Sequence, residues 1–149
     1  MTPKKILLCT DFSENSQAAR KLAIDYAKSF GSTLILLHVV DPGVLRYPRF
    51  EDLVPMEDTL KSLELVCDRE LKTMSEEIRK EAASVKAYCV SGVPGKEIVG
   101  FAKEEGIDLI VMGTHGWTGL NRLLVGSTAE RVVRTAECPV LIVRSFLSS

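Results

Sequence analysis

The chain has 149 residues, 46% of them apolar, with 19 basic and 20 acidic side chains and a net charge of −1. That length fits one domain with a real core and excludes wholesale disorder. The charge balance gives no footprint for nucleic acid or an anionic membrane, and no apolar run approaches the roughly 20 residues of a membrane helix.

Strand-like and helix-like patterns alternate along the whole chain. Ile6-Leu7-Leu8-Cys9 is a short apolar run of the kind shown by a strand buried on both faces. It begins so close to the N-terminus that a signal peptide is not expected, and a cytoplasmic location is. Thr10-Asp11-Phe12-Ser13 is polar and turn-like, with Asp11 or Ser13 placed to cap the next helix. In that helix Ala19, Leu22, Ala23, Tyr26, Ala27 and Phe30 share one face, and Gly31 is placed to end it.

Thr33 to Val40 reads as a second buried strand. Asp41 to Met56 contains three prolines and no clean period, so it is expected to be a loop or lid. Leu60, Leu63, Cys67, Leu71, Met74 and Ile78 then mark one face of a long amphipathic helix. Val85 to Ser91 alternates more strongly, as an edge strand would. Pro94 suits a first helical turn, and that helix stops at Gly106. Asp108 to Met112 is the fourth strand, Ser127 to Ala136 the last helix, and Pro139 to Val143 the last strand.

This βαβαβαβαβ order predicts an α/β fold: an open five-stranded parallel sheet with helices on both faces. With strand order 3-2-1-4-5, the order reverses between the first and fourth strands. The segments after Cys9 and after Met112 then face one crevice, where such sheets bind ligands. Cys9, Cys67, Cys89 and Cys138 show no C-x-x-C spacing and read as reduced, mostly buried thiols. With only His38 and His115 as histidines, no metal constellation stands out. His38 reads as a strand residue.

Between the fourth strand and the last helix lies a glycine-rich stretch, Gly113 to Gly126. Gly113 and Gly116 let backbone approach a ligand closely. Gly126-Ser127-Thr128 opens a helix, where free N–H groups and the dipole favour an anion. Arg122 adds a positive charge. A second reading fits equally well: Ser127 and Glu130 form a capping box that needs no ligand. Neither a Walker A loop nor a G-x-G-x-x-G fingerprint is present.

The spacing G-x2-G-x9-G-[S/T], formed by Gly113, Gly116, Gly126 and Ser127, resembles the ATP-binding motif of universal stress proteins. Ile6-Leu7, Thr10 to Ser13, His38 to Val40, Asp108 to Met112 and Cys138 to Val143 resemble the same family, so residues 1–149 are similar to one such domain. The resemblance implies an ATP-binding stress-response module of the Rossmann-like type; the choice among ATP, ADP and AMP stays open, and Mg²⁺ could come with ATP, with no metal site from the protein alone. It places Thr10 and Asp11 at the sugar or adenine side and backbone of Val39 or Val40 at the adenine edge. Met112 and Gly113 would line the ribose. His115, Gly116, Gly126, Ser127 and Thr128 would surround the phosphates. Trp117 stands where members often carry a small or basic residue, and Ala129 lacks a hydroxyl that some members offer.

The glycine motif contains no lysine, and no catalytic residue is assigned. The expectation is a regulatory binding module read by an unidentified protein partner. The alternatives are a slow ATPase or nucleotide-dependent transferase, and a structural dimer without ligand. An apolar last strand would be an exposed edge. The resemblance implies that Pro139 to Val143 pairs across a homodimer.

Overall fold

Unbroken apolar strands need cover on both faces, and the helices supply it. A computed structural model describes residues 2–43, 56–82, 84–114 and 125–144. The strands are β1 (Lys5–Cys9), β2 (Thr33–Val40), β3 (Val85–Ser91), β4 (Leu109–Gly113) and β5 (Val140–Val143). The helices are α1 (Gln17–Phe30), α2 (Met56–Arg79), α3 (Pro94–Glu105) and α4 (Ser127–Thr135). The sheet order is β3-β2-β1-β4-β5 and all four pairings are parallel, as the sequence pattern predicts.

Alternate residues of each strand enter opposite cores. Ile6, Leu8, Leu34, Leu36 and Val111 meet Ala19, Ala23 and Ala27 of α1 and Cys67, Leu71 and Ile78 of α2. Leu7, Ile35, Leu37, Ile110 and Met112 meet Ile98 and Ala102 of α3 and Ala129 and Val132 of α4. The small alanines of α1 let that helix lie close to the sheet. Gly31 ends α1 in the left-handed region, at φ 65°, where a side chain would be strained. Asp108 ties the sheet's amino edge together: its Oδ2 accepts the N–H groups of Lys4 and Lys5, each at 2.9 Å.

Three local readings are corrected. Neither Asp11 nor Ser13 caps α1. A 3-10 turn, Glu14–Ser16, intervenes, and Ser16 precedes the helix without a side-chain cap. The long helix begins at Met56, the last residue of the expected loop. The rest of that loop, residues 44–55, lies outside the described residues. Two of the thiols are not free: Cys67 of α2 and Cys89 of β3 form a disulfide, with Cα atoms 6.3 Å apart. Helix-on-sheet packing brings them together, and a separation of 22 residues has no spacing signature. Cys9 and Cys138 remain free.

Because Leu7 and Leu8 enter different cores and both are fully buried, Leu7→Ala and Leu8→Ala should each cost about 2–5 kcal/mol. Denaturant midpoints check this; a sheet covered on one face only would leave one of the two substitutions nearly neutral.

Candidate functional site

The carboxyl ends of β2, β1 and β4 lie side by side, because β1 is the strand at which the order reverses. Thr10 extends the ladder one residue past β1, donating its N–H to Leu37 O at 3.0 Å. Its side-chain oxygen accepts the Phe12 N–H at 3.1 Å. Asp11 Oδ1 accepts from the Ser13 N–H at 2.9 Å and from the Ser13 hydroxyl at 2.5 Å. Polar side chains that bond backbone two residues ahead make tight turns. This one is tight enough to hold Phe12 at φ 64°, a conformation that costs a bulky residue energy.

His38 braces the turn. Its Nδ1 lies 2.7 Å from Thr10 O. A carbonyl only accepts, so Nδ1 carries the proton. The imidazole also packs on Phe12, with ring centroids 4.5 Å apart. His38 is a strand residue, as expected, but it also ties β2 to the loop after β1. Nothing in the local sequence signals this link, because it spans 28 residues. Val39 and Val40 follow on β2. The Val40 carbonyl accepts the Gly92 N–H at 2.9 Å, and Val39 packs partly against the second core.

Across the crevice, Met112 is buried and Gly113 ends β4. A Cβ on Gly113 would come within 3.2 Å of the Asn15 carbonyl oxygen. The segment after β1 therefore rests on the glycine through the Asn15 backbone. Thr114 O accepts the Gly126 N–H at 2.7 Å, which joins the two ends of the glycine stretch. Gly126 is the N-cap of α4 and makes no side-chain cap; Ser127 is the first helical residue. The capping-box reading, with Ser127 as the cap, is therefore corrected. Ser127 is exposed and Thr128 half-buried at this end. Ala129 is 2% exposed and belongs to the second core, so its side chain points away from the site. His115 and Gly116 lie outside the described residues, as do Trp117 and Arg122.

A cleft of about 210 Å³ shares the Phe12 and Ser13 turn but opens between α1 and α2, lined also by Arg20, Glu70 and Glu77. Arg20 Nη2 and Glu77 Oε2 meet there at 2.7 Å, and the Arg20 hydrogen bond lowers the Glu77 carboxyl's pKa. Among the described residues no three His, Cys, Asp or Glu side chains could hold a metal ion together. No described helix is long and apolar enough to cross a membrane. Cys9, at the end of β1, is pushed up from 9.0 to about 12, chiefly by burial.

An open parallel sheet of order β3-β2-β1-β4-β5 with helices on both faces defines a Rossmann-like domain. The model of the universal stress protein family matches residues 2–144, and the chain belongs to that family. The chain is 40% identical to universal stress protein MJ0531 of Methanocaldococcus jannaschii, over 95% of this chain and 82% of the relative. The solved protein MJ0577, of the same organism, shares 36% identity and a TM-score of 0.79 over 99% of this chain and all of that one. Universal stress protein UspA from Lactobacillus plantarum has a TM-score of 0.82 at 29% identity, over 95% of this chain and 97% of its own. An Archaeoglobus fulgidus universal stress protein solved in complex with dAMP shares the fold, with a TM-score of 0.66 at 24% identity over 97% of this chain and all of that one.

Two outcomes follow from this geometry. Gly113→Val should destabilise the fold by about 1–3 kcal/mol, measured by denaturant unfolding, because the added carbons press on the Asn15 backbone. Cys9 contributes stability fully present below pH 9.0 and lost as pH rises toward 12, since only the unfolded state releases the proton in that window. Cys9→Ala should flatten the alkaline limb of a stability–pH curve.

Proposed function

We propose that the chain binds an adenine nucleotide, with ATP as the physiological ligand, in the crevice at the carboxyl ends of β2, β1 and β4. The observation that carries this reading is the uncapped start of α4. The Gly126 N–H to Thr114 O bond holds that start against the end of β4, at the residue that follows Gly113. The first-turn N–H groups there lack intrahelical acceptors, and the dipole adds positive potential, so the end suits a phosphate. Thr10 and Asp11 take the sugar or adenine side, and Met112 and Gly113 the ribose. The Val39 and Val40 backbone takes the adenine edge. The Val40 carbonyl already serves Gly92, which leaves it one lone pair for the base.

His115 and Gly116 complete the phosphate cradle with Gly126, Ser127 and Thr128. The dAMP complex of the Archaeoglobus fulgidus protein supports an adenine ligand for this fold. The role is that of a regulatory module, in which occupancy of the site is read by a partner protein, in the cytoplasm. The glycine motif has no lysine to hold charge on a transferring phosphoryl group, so binding outruns turnover. β5 is a sheet edge with half-buried side chains. Its pairing with the same strand of a second copy would cover that edge.

Calorimetric titration of nucleotide-stripped protein with ATP and Mg²⁺ should give a dissociation constant on the order of micromolar. Gly116→Val should abolish the heat, and Ser127→Ala should weaken binding about tenfold, the worth of a hydrogen bond to a charged group. A folded protein without any heat would overturn the reading. Sedimentation equilibrium should return twice the chain mass of 16.4 kDa; the mass of one chain would remove the β5 pairing.

A further inference from the structure

The disulfide lies outside the proposed nucleotide site but is wired to it. Cys67 is 2% exposed in the middle of α2, while Cys89 is half-buried on β3. Among the described strands β3 has β2 as its sheet neighbour; α2 holds it through Arg79 to the Val85 carbonyl and Ser91 to Glu64 near its two ends, and the disulfide is the covalent tie between them. Cys89 is the register partner of His38 on β2. His38 in turn donates to Thr10 O and packs on Phe12. Phe12 reaches back to α2 as well, sharing a cleft with Met74 and Thr73. The bond thus fixes two of the elements that hold Phe12 in its left-handed conformation. The one free thiol at the end of β1, Cys9, is buried and stays protonated, which removes it from thiol exchange.

We infer that Cys67 and Cys89 form a reversible thiol–disulfide site whose redox state sets the order of the Thr10–Ser13 turn, with a small thiol such as glutathione as reductant. Cys89 is the more exposed of the two residues and takes the attack. A small thiolate bonds to Cys89 Sγ, the protein S–S bond breaks, and Cys67 leaves as a thiolate that takes a proton. A second small thiolate then attacks the small molecule's own sulfur in that mixed disulfide and releases Cys89. Two electrons and two protons enter the protein, and two small thiols leave as one small disulfide. Oxidation by that small disulfide is the reverse. The oxidised form holds the turn in place, and the reduced form loosens the middle of β3 against α2 while the Arg79 and Ser91 bonds keep its ends in place. The consequence for ligand affinity rests on the adenine-nucleotide reading; the consequence for the turn does not.

The test uses the full chain equilibrated across glutathione buffers. Counted after unfolding, four thiols are expected in the reduced form and two in the oxidised form, with a cross-linked Cys67–Cys89 peptide by mass spectrometry. Amide exchange of Phe12 and Ser13 should be at least ~5-fold slower in the oxidised protein, because exchange reports local opening. Cys67→Ser and Cys89→Ser proteins should exchange like the reduced form in every buffer. ATP should bind at least ~3-fold more tightly to the oxidised form, the linkage expected when a ligand favours the ordered state. Four thiols at every buffer ratio would overturn the site. Equal Phe12 and Ser13 exchange in the two forms would overturn the coupling. ATP binding to neither form would sink the nucleotide reading, while the thiol count and exchange rates would still decide this inference.

Discussion

Everything at the site depends on burying one parallel sheet on both faces. Five apolar strands cannot be left half wet, so two helices must cover each side. Once α1 and α2 take one face and α3 and α4 the other, the chain leaves each of β1 to β4 at its carboxyl end on the way to a helix. The loops there cannot be buried, and they gather where β1 neighbours both β2 and β4. The crevice is a by-product of core packing. The proposed chemistry rests on what Thr10, Asp11, Gly113 and the start of α4 bring to it.

Much of the fold was legible because its signals are local. Continuous runs such as Ile6 to Cys9 announce strands buried on both faces, and Gly31 and Gly106 mark helix ends by the backbone freedom they alone have. The strand order followed from alternation of strand and helix together with the family resemblance. The site was legible to the extent that it lies in loops adjoining strands. What stayed hidden involves partners far apart in the chain. The His38 bond to Thr10 and the union of Cys67 with Cys89 depend on which strands become neighbours, and no spacing rule encodes that. The 3-10 turn before α1 was missed because Ser13 and Asp11 are both good caps by type. Here Asp11 spends its side chain on the turn instead.

The two ends of the site are held by different means. The turn after β1 is over-determined: Thr10, Asp11, His38 and the Asn15 contact with Gly113 all restrain it, which is how Phe12 keeps a strained backbone. The start of α4 is restrained mainly by backbone, through Gly126 to Thr114 and Glu130 to Gly126. An anion bound there would complete a helix start that the described side chains leave uncapped.

The Gly126 to Thr114 bond has an entropic consequence. It clasps the glycine stretch at its base, so the frame on either side is already closed whatever lies between. Lengthening a loop whose ends are pinned costs only the slow logarithm of chain entropy, about 0.6 kcal/mol per doubling. A change in chain length between Thr114 and Gly126 therefore costs little entropy so long as that bond persists. The segment between those two residues can vary in length while the sheet beneath it stays the same.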